Sequence, residues 1–492
     1  MGANDQRTFI AAQATAGQLY INGRWQTPRS STRPVLEPAT GMPLGQVAIA
    51  TAAEMHEAID HASTAQKAWA ATPPRERAAV LLRAAQWLQQ HADALALSVA
   101  RETGGIVPKG QHEVREAITL CQMAAALPMQ EQGQVLPSTP GRLSLAKRVP
   151  HGVVGVISPF NFPLILGLRS VAPALALGNA VVLKPDPRTP FSGGAVMAEM
   201  LQHAGLPAGV FQMLPGDAEA GEALVTDPRV PMIAFTGSPS VGRRIGELAG
   251  RHLKKVSLEL GGANNLVILE DADLDAAASA VAFGAWFHQG QICMASNRVL
   301  VHASIAQALQ QRLVGKAQHL PVGDGASGQV ALGPMIDHKQ LDRFDCIVQD
   351  TVKQGATLEA GGTHNGLCYQ PTVLSGVKPG MRSFDEEPFG PLVNLVTFHS
   401  DDEAVELANN SQGGLAAGII GRDLARAMAI GERLNAGMVH INDQTVNDEC
   451  TNPFGGPGLG GNGSAVGGPA DIDEYTRWQW VTVKSAPPPF PF

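Results

Sequence analysis

The chain has 492 residues, 44% of them hydrophobic and 16% charged, and its 36 Lys and Arg against 44 Asp and Glu leave a net charge of −8. A chain of this length builds a core without disulfide or metal staples, and this composition excludes a disordered polyelectrolyte. No long run of Lys or Arg occurs, so nucleic acid is not the expected partner. The most apolar stretch, residues 162–177, is broken by Gly167, Arg169 and Pro173, so no membrane span is expected.

The five cysteines, Cys121, Cys293, Cys346, Cys368 and Cys450, are odd in number, widely spaced and free of any CxxC pair. That pattern argues against a disulfide framework or a zinc site and fits a reducing compartment. Residues 1–17 are polar and Ala/Gln-rich with no apolar signal region, so the expectation is a cytoplasmic globular protein without a metal.

In chain order, Tyr20-Ile21-Asn22-Gly23-Arg24-Trp25 reads as a hairpin turning on Asn-Gly. Residues 51–71 and 74–102 carry a helical period, with Val80, Leu81, Ala84, Trp87 and Leu88 on one stripe. From residue 153 short apolar runs alternate with helices. The runs are 153–158, 181–184, 210–214, 232–236 and 256–260; helices follow the first through Ala176 and the second over 190–203. Buried strands between helices predict a parallel α/β sheet, with ligands at the carboxyl ends of its strands. A second α/β stretch is expected over 271–447, a Gly-rich loop over 452–468, and a strand over 478–484. That strand carries two tryptophans near the chain end and is suited to pairing with another chain. The tail Pro487-Pro488-Pro489-Phe490-Pro491-Phe492 cannot join a sheet interior.

The polar residues gather at the strand ends. Cys293, in Gly290-Gln291-Ile292-Cys293, follows an apolar helical run but sits in a Gly/Gln turn, unlike the other cysteines. A lone cysteine is ordinarily a small core residue; in this setting it is a candidate nucleophile. Glu259 ends an apolar strand ahead of Gly261 and Gly262. It is either a solvated strand-end carboxylate or a general base whose pKa burial raises. Asn161, between Pro159 and Pro163, is either a helix cap or an oxyanion donor. Thr236-Gly237-Ser238-Pro239 with Gly242 is a strand, a turn and a helix start, where an anion binds. Lys184 at a strand end is either an exposed lysine or a ribose ligand, and Glu386-Glu387-Pro388-Phe389-Gly390 taken alone is a loop.

Taken together, in order, Pro159-Phe160-Asn161-Phe162-Pro163, Lys184-Pro185, Phe235-Thr236-Gly237-Ser238, Glu259-Leu260-Gly261-Gly262, Gly290-Gln291-Ile292-Cys293, Glu387-Pro388-Phe389-Gly390-Pro391 and Pro453-Phe454-Gly455-Gly456 resemble the aldehyde dehydrogenase superfamily along essentially the whole chain. The resemblance implies three parts: a Rossmann-like cofactor domain (1–128 and 149–258), an α/β catalytic domain (259–455) and a β oligomerisation arm (129–148 and 470–492). It implies a homodimer or homotetramer. It assigns Cys293 as nucleophile, Asn161 and the Cys293 N–H as oxyanion donors, and Glu259 as the base for thioester hydrolysis. Lys184 and Glu387 would bind riboses, Ser238 the pyrophosphate, and Phe389 would pack by the nicotinamide, with Ser158, Gly237, Gly242 and Gly261 completing the cofactor cleft.

Two departures qualify it. Where NAD-preferring members often carry a ribose-chelating Glu, this chain has Pro187, followed by Arg188. NAD is the favoured cofactor, with NADP usable and Arg188 a phosphate partner. Phe160 stands where many members have Trp, which alters the substrate channel. The wording around Ser158 and before Cys293 looks most like the benzaldehyde and vanillin dehydrogenase branch, with Phe160, Trp286 and Phe287 as an aromatic wall for a flat aryl aldehyde and Arg169 facing the channel. Trp286 and Phe287 are equally readable as helix core, and Arg169 as a cap on a core edge. The rivals are an aliphatic or semialdehyde dehydrogenase of the same mechanism, an acylating enzyme using coenzyme A, and a scaffold without catalysis. An intact Cys293, Glu259 and Asn161 set argues against the last two.

Overall fold

The computed structural model describes residues 17–411 and 413–492. Leu19–Ile21 and Arg24–Gln26 pair across Asn22 (φ 51°) and Gly23 (φ 74°), the two left-handed residues that a tight hairpin turn requires. The helix Ala52–Ala71 starts on a capping box between Thr51 and Glu54. The helical period expected over 74–102 is two helices, Pro74–Gln90 and Ala92–Thr103. His91 (φ −111°, ψ 12°) separates them, its ring nitrogen Nδ1 2.7 Å from the Trp87 carbonyl. Neither Gly nor Pro marks that break.

The first sheet runs in the order Lys255–Leu260, Met232–Gly237, Val153–Ile157, Ala180–Lys184, Phe211–Met213, Leu19–Ile21, Arg24–Gln26. Its first five strands are parallel, and the N-terminal hairpin closes one edge antiparallel. The chain runs from Val153–Ile157 outward through two strands, then returns to the other side at Met232–Gly237. That reversal opens a crevice at the carboxyl ends of these two strands, where such sheets bind ligands. The expected helix over 190–203 begins as a wide turn, Phe191–Ala195, before Val196–His203. Glu102 anchors that turn by accepting from the Phe191 and Ser192 N–H groups, both at 2.8 Å.

The second sheet has the order Thr357–Ala360, Thr372–Ser375, Leu392–Phe398, Arg298–His302, Asn265–Ile268, Gly414–Ile420, Ala436–Ile441. It is parallel except at its first strand. Its central strands Asn265–Ile268, Arg298–His302 and Gly414–Ile420 are mostly apolar and almost wholly buried, as a helix-covered parallel sheet requires.

In the third sheet Thr476–Lys484 pairs antiparallel along Arg142–Pro150, which pairs in turn with Gly133–Val135. Its Trp478 and Trp480 remain 49% and 66% exposed. Among the described residues no helix is long and apolar enough to cross a membrane, and no cluster of His, Cys, Asp and Glu could hold a metal.

Candidate active site

The strand ends of the two large sheets converge on Cys293. The preceding turn is strained: His288 (φ 47°), Gln289 (φ 55°) and Gly290 (φ 65°) are left-handed in succession. Gly290 has no substitute here, since a Cβ would fall 2.1 Å from the Gly390 carbonyl oxygen. The same contact joins the nucleophile turn to the Glu387–Phe389 loop. Asn264 Nδ2 donates to the Cys293 carbonyl at 2.7 Å, and its Oδ1 accepts from Ala416 N at 2.9 Å, so the Cys293 peptide is held in one orientation.

Asn161 is 3% exposed and does not cap the following helix; Phe162 holds the cap position of Pro163–Ala176. Its Nδ2 donates to the Gln291 carbonyl at 2.9 Å, which fixes the amide against the nucleophile turn and leaves the second amide hydrogen for a ligand. Glu259 ends the strand Lys255–Leu260, 5% exposed, and neither carboxylate oxygen has a partner. Burial holds its carboxyl well above the ordinary range; Arg169 opposes that, and Glu474 and Asp448 add to it. The Cys293 thiol is pushed up by burial first and then by Glu387, Asp448 and Glu259, against Arg169. Both groups therefore favour their neutral forms in this compartment.

Arg169 faces this compartment rather than a core edge. Its Nη2 donates to Asp448 Oδ2 at 2.6 Å and its guanidinium lies 4.4 Å from the Phe454 ring, while buried Nε and Nη1 have no partner. Composition gave no signal for Asp448, which is 279 residues away from Arg169 in sequence.

The cofactor candidates line the crevice of the first sheet. Ser158 follows the strand Val153–Ile157, and its buried Oγ has no partner. Lys184 ends the next strand half-buried, its ammonium pulled down by burial and restored in part by Asp186 and Asp217. Across the crevice, Gly237 ends its strand and Ser238 begins the helix Pro239–Arg251 without capping it, its Oγ 3.2 Å from Ser240 Oγ. Gly242 lets that helix close on Leu260. Glu387 lies against Gly261, where a Cβ would be 2.3 Å from its Oε1. Burial raises its carboxyl to about 7, opposed by Arg343 and the Gly262 N–H, and Oε1 has no partner. Arg343, absent from the sequence-derived set, holds the Glu387 and Pro388 carbonyls at 2.9 and 3.2 Å.

Three expectations change. Arg188 is not free to take a phosphate: it donates to Asp186 through Nε (2.9 Å) and Nη2 (2.8 Å) and to Asp337 through Nη1 (2.9 Å). Phe160 sits under that guanidinium, 4.1 Å away, and edge-on to Phe389 with centroids 5.9 Å apart. It thus lies on the Phe389 side, whereas Phe162 packs edge-on against His288, in the turn before Cys293. Trp286 is 1% exposed in the core beneath the second sheet. Phe287 stacks on Phe283 at 4.9 Å and, with Trp286, lines a separate apolar cavity of about 590 Å³ that excludes Cys293.

This arrangement places a thiol, an amide donor and an unpartnered carboxylate beside the crevice at the strand ends of the first sheet. The sequence profile of the aldehyde dehydrogenase family matches residues 25–481. The chain belongs to the aldehyde dehydrogenase family. It is 50% identical to a vanillin dehydrogenase of Amycolatopsis over 99% of this chain and 100% of that one. It is 48% identical to an NAD(+) benzaldehyde dehydrogenase of Pseudomonas putida over 97% and 98% of the two chains. Among solved structures, betaine aldehyde dehydrogenase from Staphylococcus aureus in complex with NAD+ superposes with a TM-score of 0.94 at 28% identity, covering 97% of this chain and 96% of that one. Oxidation of an aldehyde is therefore the activity of this fold and site.

Proposed function

We propose that the chain oxidises an aryl aldehyde of the benzaldehyde and vanillin type to its carboxylic acid, with NAD as oxidant. The observation that carries the mechanism is the buried, unpartnered Glu259 carboxylate in the electrostatic neighbourhood of the raised Cys293 thiol. Near-full-length likeness to the vanillin and benzaldehyde dehydrogenases supports the aryl substrate.

As the Cys293 sulfur attacks the aldehyde carbon its thiol proton passes to solvent, a C–S bond forms and the carbonyl π bond opens. The oxygen becomes an oxyanion held by the Asn161 amide and the Cys293 N–H. Bound NAD would supply the acceptor for the hydride that this carbon loses as the thioester forms. The protein's fit to NAD rests on buried atoms without partners, Ser158 Oγ and Glu387 Oε1, on the uncapped helix start at Ser238, and on the bare backbone at Gly261. Lys184 and Glu387 would bind the riboses. Glu259, in its ionised form, takes a proton from water; the hydroxide attacks the thioester, the C–S bond breaks to release the Cys293 thiolate, and the acid departs. Arg169, with two buried N–H groups unused, is placed to orient the substrate.

The three-stranded sheet with exposed Trp478, Trp480, Val135 and Val483 is the surface through which we infer a homodimer or homotetramer; sedimentation should show a species larger than the monomer. All five cysteines are free, in keeping with a cytoplasmic enzyme. Initial rates with benzaldehyde and hexanal, each with NAD and NADP, test the substrate reading. A higher kcat/KM for benzaldehyde with NAD is expected, and preference for hexanal would overturn the aryl assignment.

A further inference from the structure

The helix Pro163–Ala176, which begins beside Asn161, has no cap of its own, because Phe162 at its N-cap position offers no acceptor. The acceptor comes from another helix, Val107–Ala126. Glu113 Oε1 accepts from Leu164 N at 2.7 Å and from Ile165 N at 3.2 Å. Its Oε2 accepts from Lys109 Nζ at 2.6 Å, one turn earlier on the same helix. Lys109 Nζ also donates to the Asn161 carbonyl at 2.7 Å and lies 4.4 Å from the Phe162 ring centroid. Both side chains are 0% exposed.

A fully buried ion pair is weak evidence for stability, since apolar replacement of both partners is often neutral or better. This pair grips the Asn161–Phe162 peptide from behind, while the Asn161 amide is tied in front to Gln291, two residues before the nucleophile. His288 packs edge-on against Phe162 at 5.2 Å, so the same peptide is wedged between the ammonium and the strained nucleophile turn.

We propose that Lys109 is a positioning residue for the oxyanion donor: its ammonium fixes the Asn161 peptide, and Glu113 fixes both the ammonium and the start of the following helix. The inference rests on Asn161 being that donor. An ångström of misplacement at a reacting centre costs about 10²-fold in rate, so loss of this grip acts on the chemical step rather than on cofactor affinity.

The test is Lys109→Met, which keeps the stem volume and removes the donor, alone and combined with Asn161→Ala. The expected result is a fall in kcat and in the burst rate of reduced cofactor of about 10- to 10²-fold. NAD affinity should be unchanged, and little further loss should follow when Asn161 is already Ala. Should Lys109→Met fail to fold with Glu113 left unpaired, Lys109→Met/Glu113→Gln removes both charges and is read in the same way. A wild-type burst in either folded variant overturns the proposal, and so does a loss that adds in full to that of Asn161→Ala. Full kcat in Asn161→Ala alone would instead overturn the oxyanion reading and leave the grip without an object.

Discussion

Two buried carboxylates flank the nucleophile turn, and they are built in opposite ways. Glu113 accepts from an ammonium and from two backbone N–H groups. Glu259, 5% exposed, accepts from nothing. A buried charge without partners is costly, and a fold keeps one only where the strain serves a purpose. The satisfied carboxylate organises the scaffold; the unsatisfied one is available to take a proton. The same contrast separates Arg188, fully engaged by Asp186 and Asp337, from Arg169, which keeps two N–H groups free in the catalytic compartment.

Variants break or sharpen this contrast to different degrees. Cys293→Ala should abolish turnover while NAD still binds, measured by steady-state rates and by quenching of protein fluorescence. Asn161→Ala should lower kcat by about 10²–10³, measured at saturating aldehyde. Glu113→Gln leaves Lys109 charged and unpaired, and should lose about 3–5 kcal/mol of stability in denaturant unfolding. The smallest effect concerns pH. Because Glu259 must be ionised to act and its carboxyl is held well above 4.5, kcat should rise with pH through an inflection above the ordinary carboxylate range. Arg169 lowers that value whereas Glu474 and Asp448 raise it, so Arg169→Met should move the inflection further up in a pH–rate profile.

Much of this was legible in the chain. The Asn22-Gly23 turn, the alternation of apolar runs with helices and the Gly-flanked settings of Glu259 and Cys293 are local signals, and local signals survive without coordinates. What escaped depends on distance in sequence. Asp448 meets Arg169 only in the fold, and Arg188 is closed off by Asp337, 149 residues on. The break at His91 escaped because a side chain and a carbonyl make it, with no Gly or Pro. Lys109 and Glu113 did carry a readable signal: two opposite charges one turn apart on the buried stripe that holds Val114, Ala117 and Cys121. A charge pair on an apolar stripe points to a buried network, and here it leads to the catalytic amide. Trp286, close to the nucleophile in sequence, is readable there as channel wall or as helix core, and its 1% exposure places it in the core.

The most direct test of the central claim is a single mixing experiment on Glu259→Gln, following reduced cofactor and the mass of the intact protein. A burst of about one equivalent per active site, then slow turnover with an acyl adduct on Cys293, is the result predicted for a carboxylate that activates the hydrolytic water. Unfolding of the same variant should show no loss of stability, since no partner is removed. A wild-type steady state without adduct would contradict the account, and Glu259 would then be a buried charge without a role in hydrolysis.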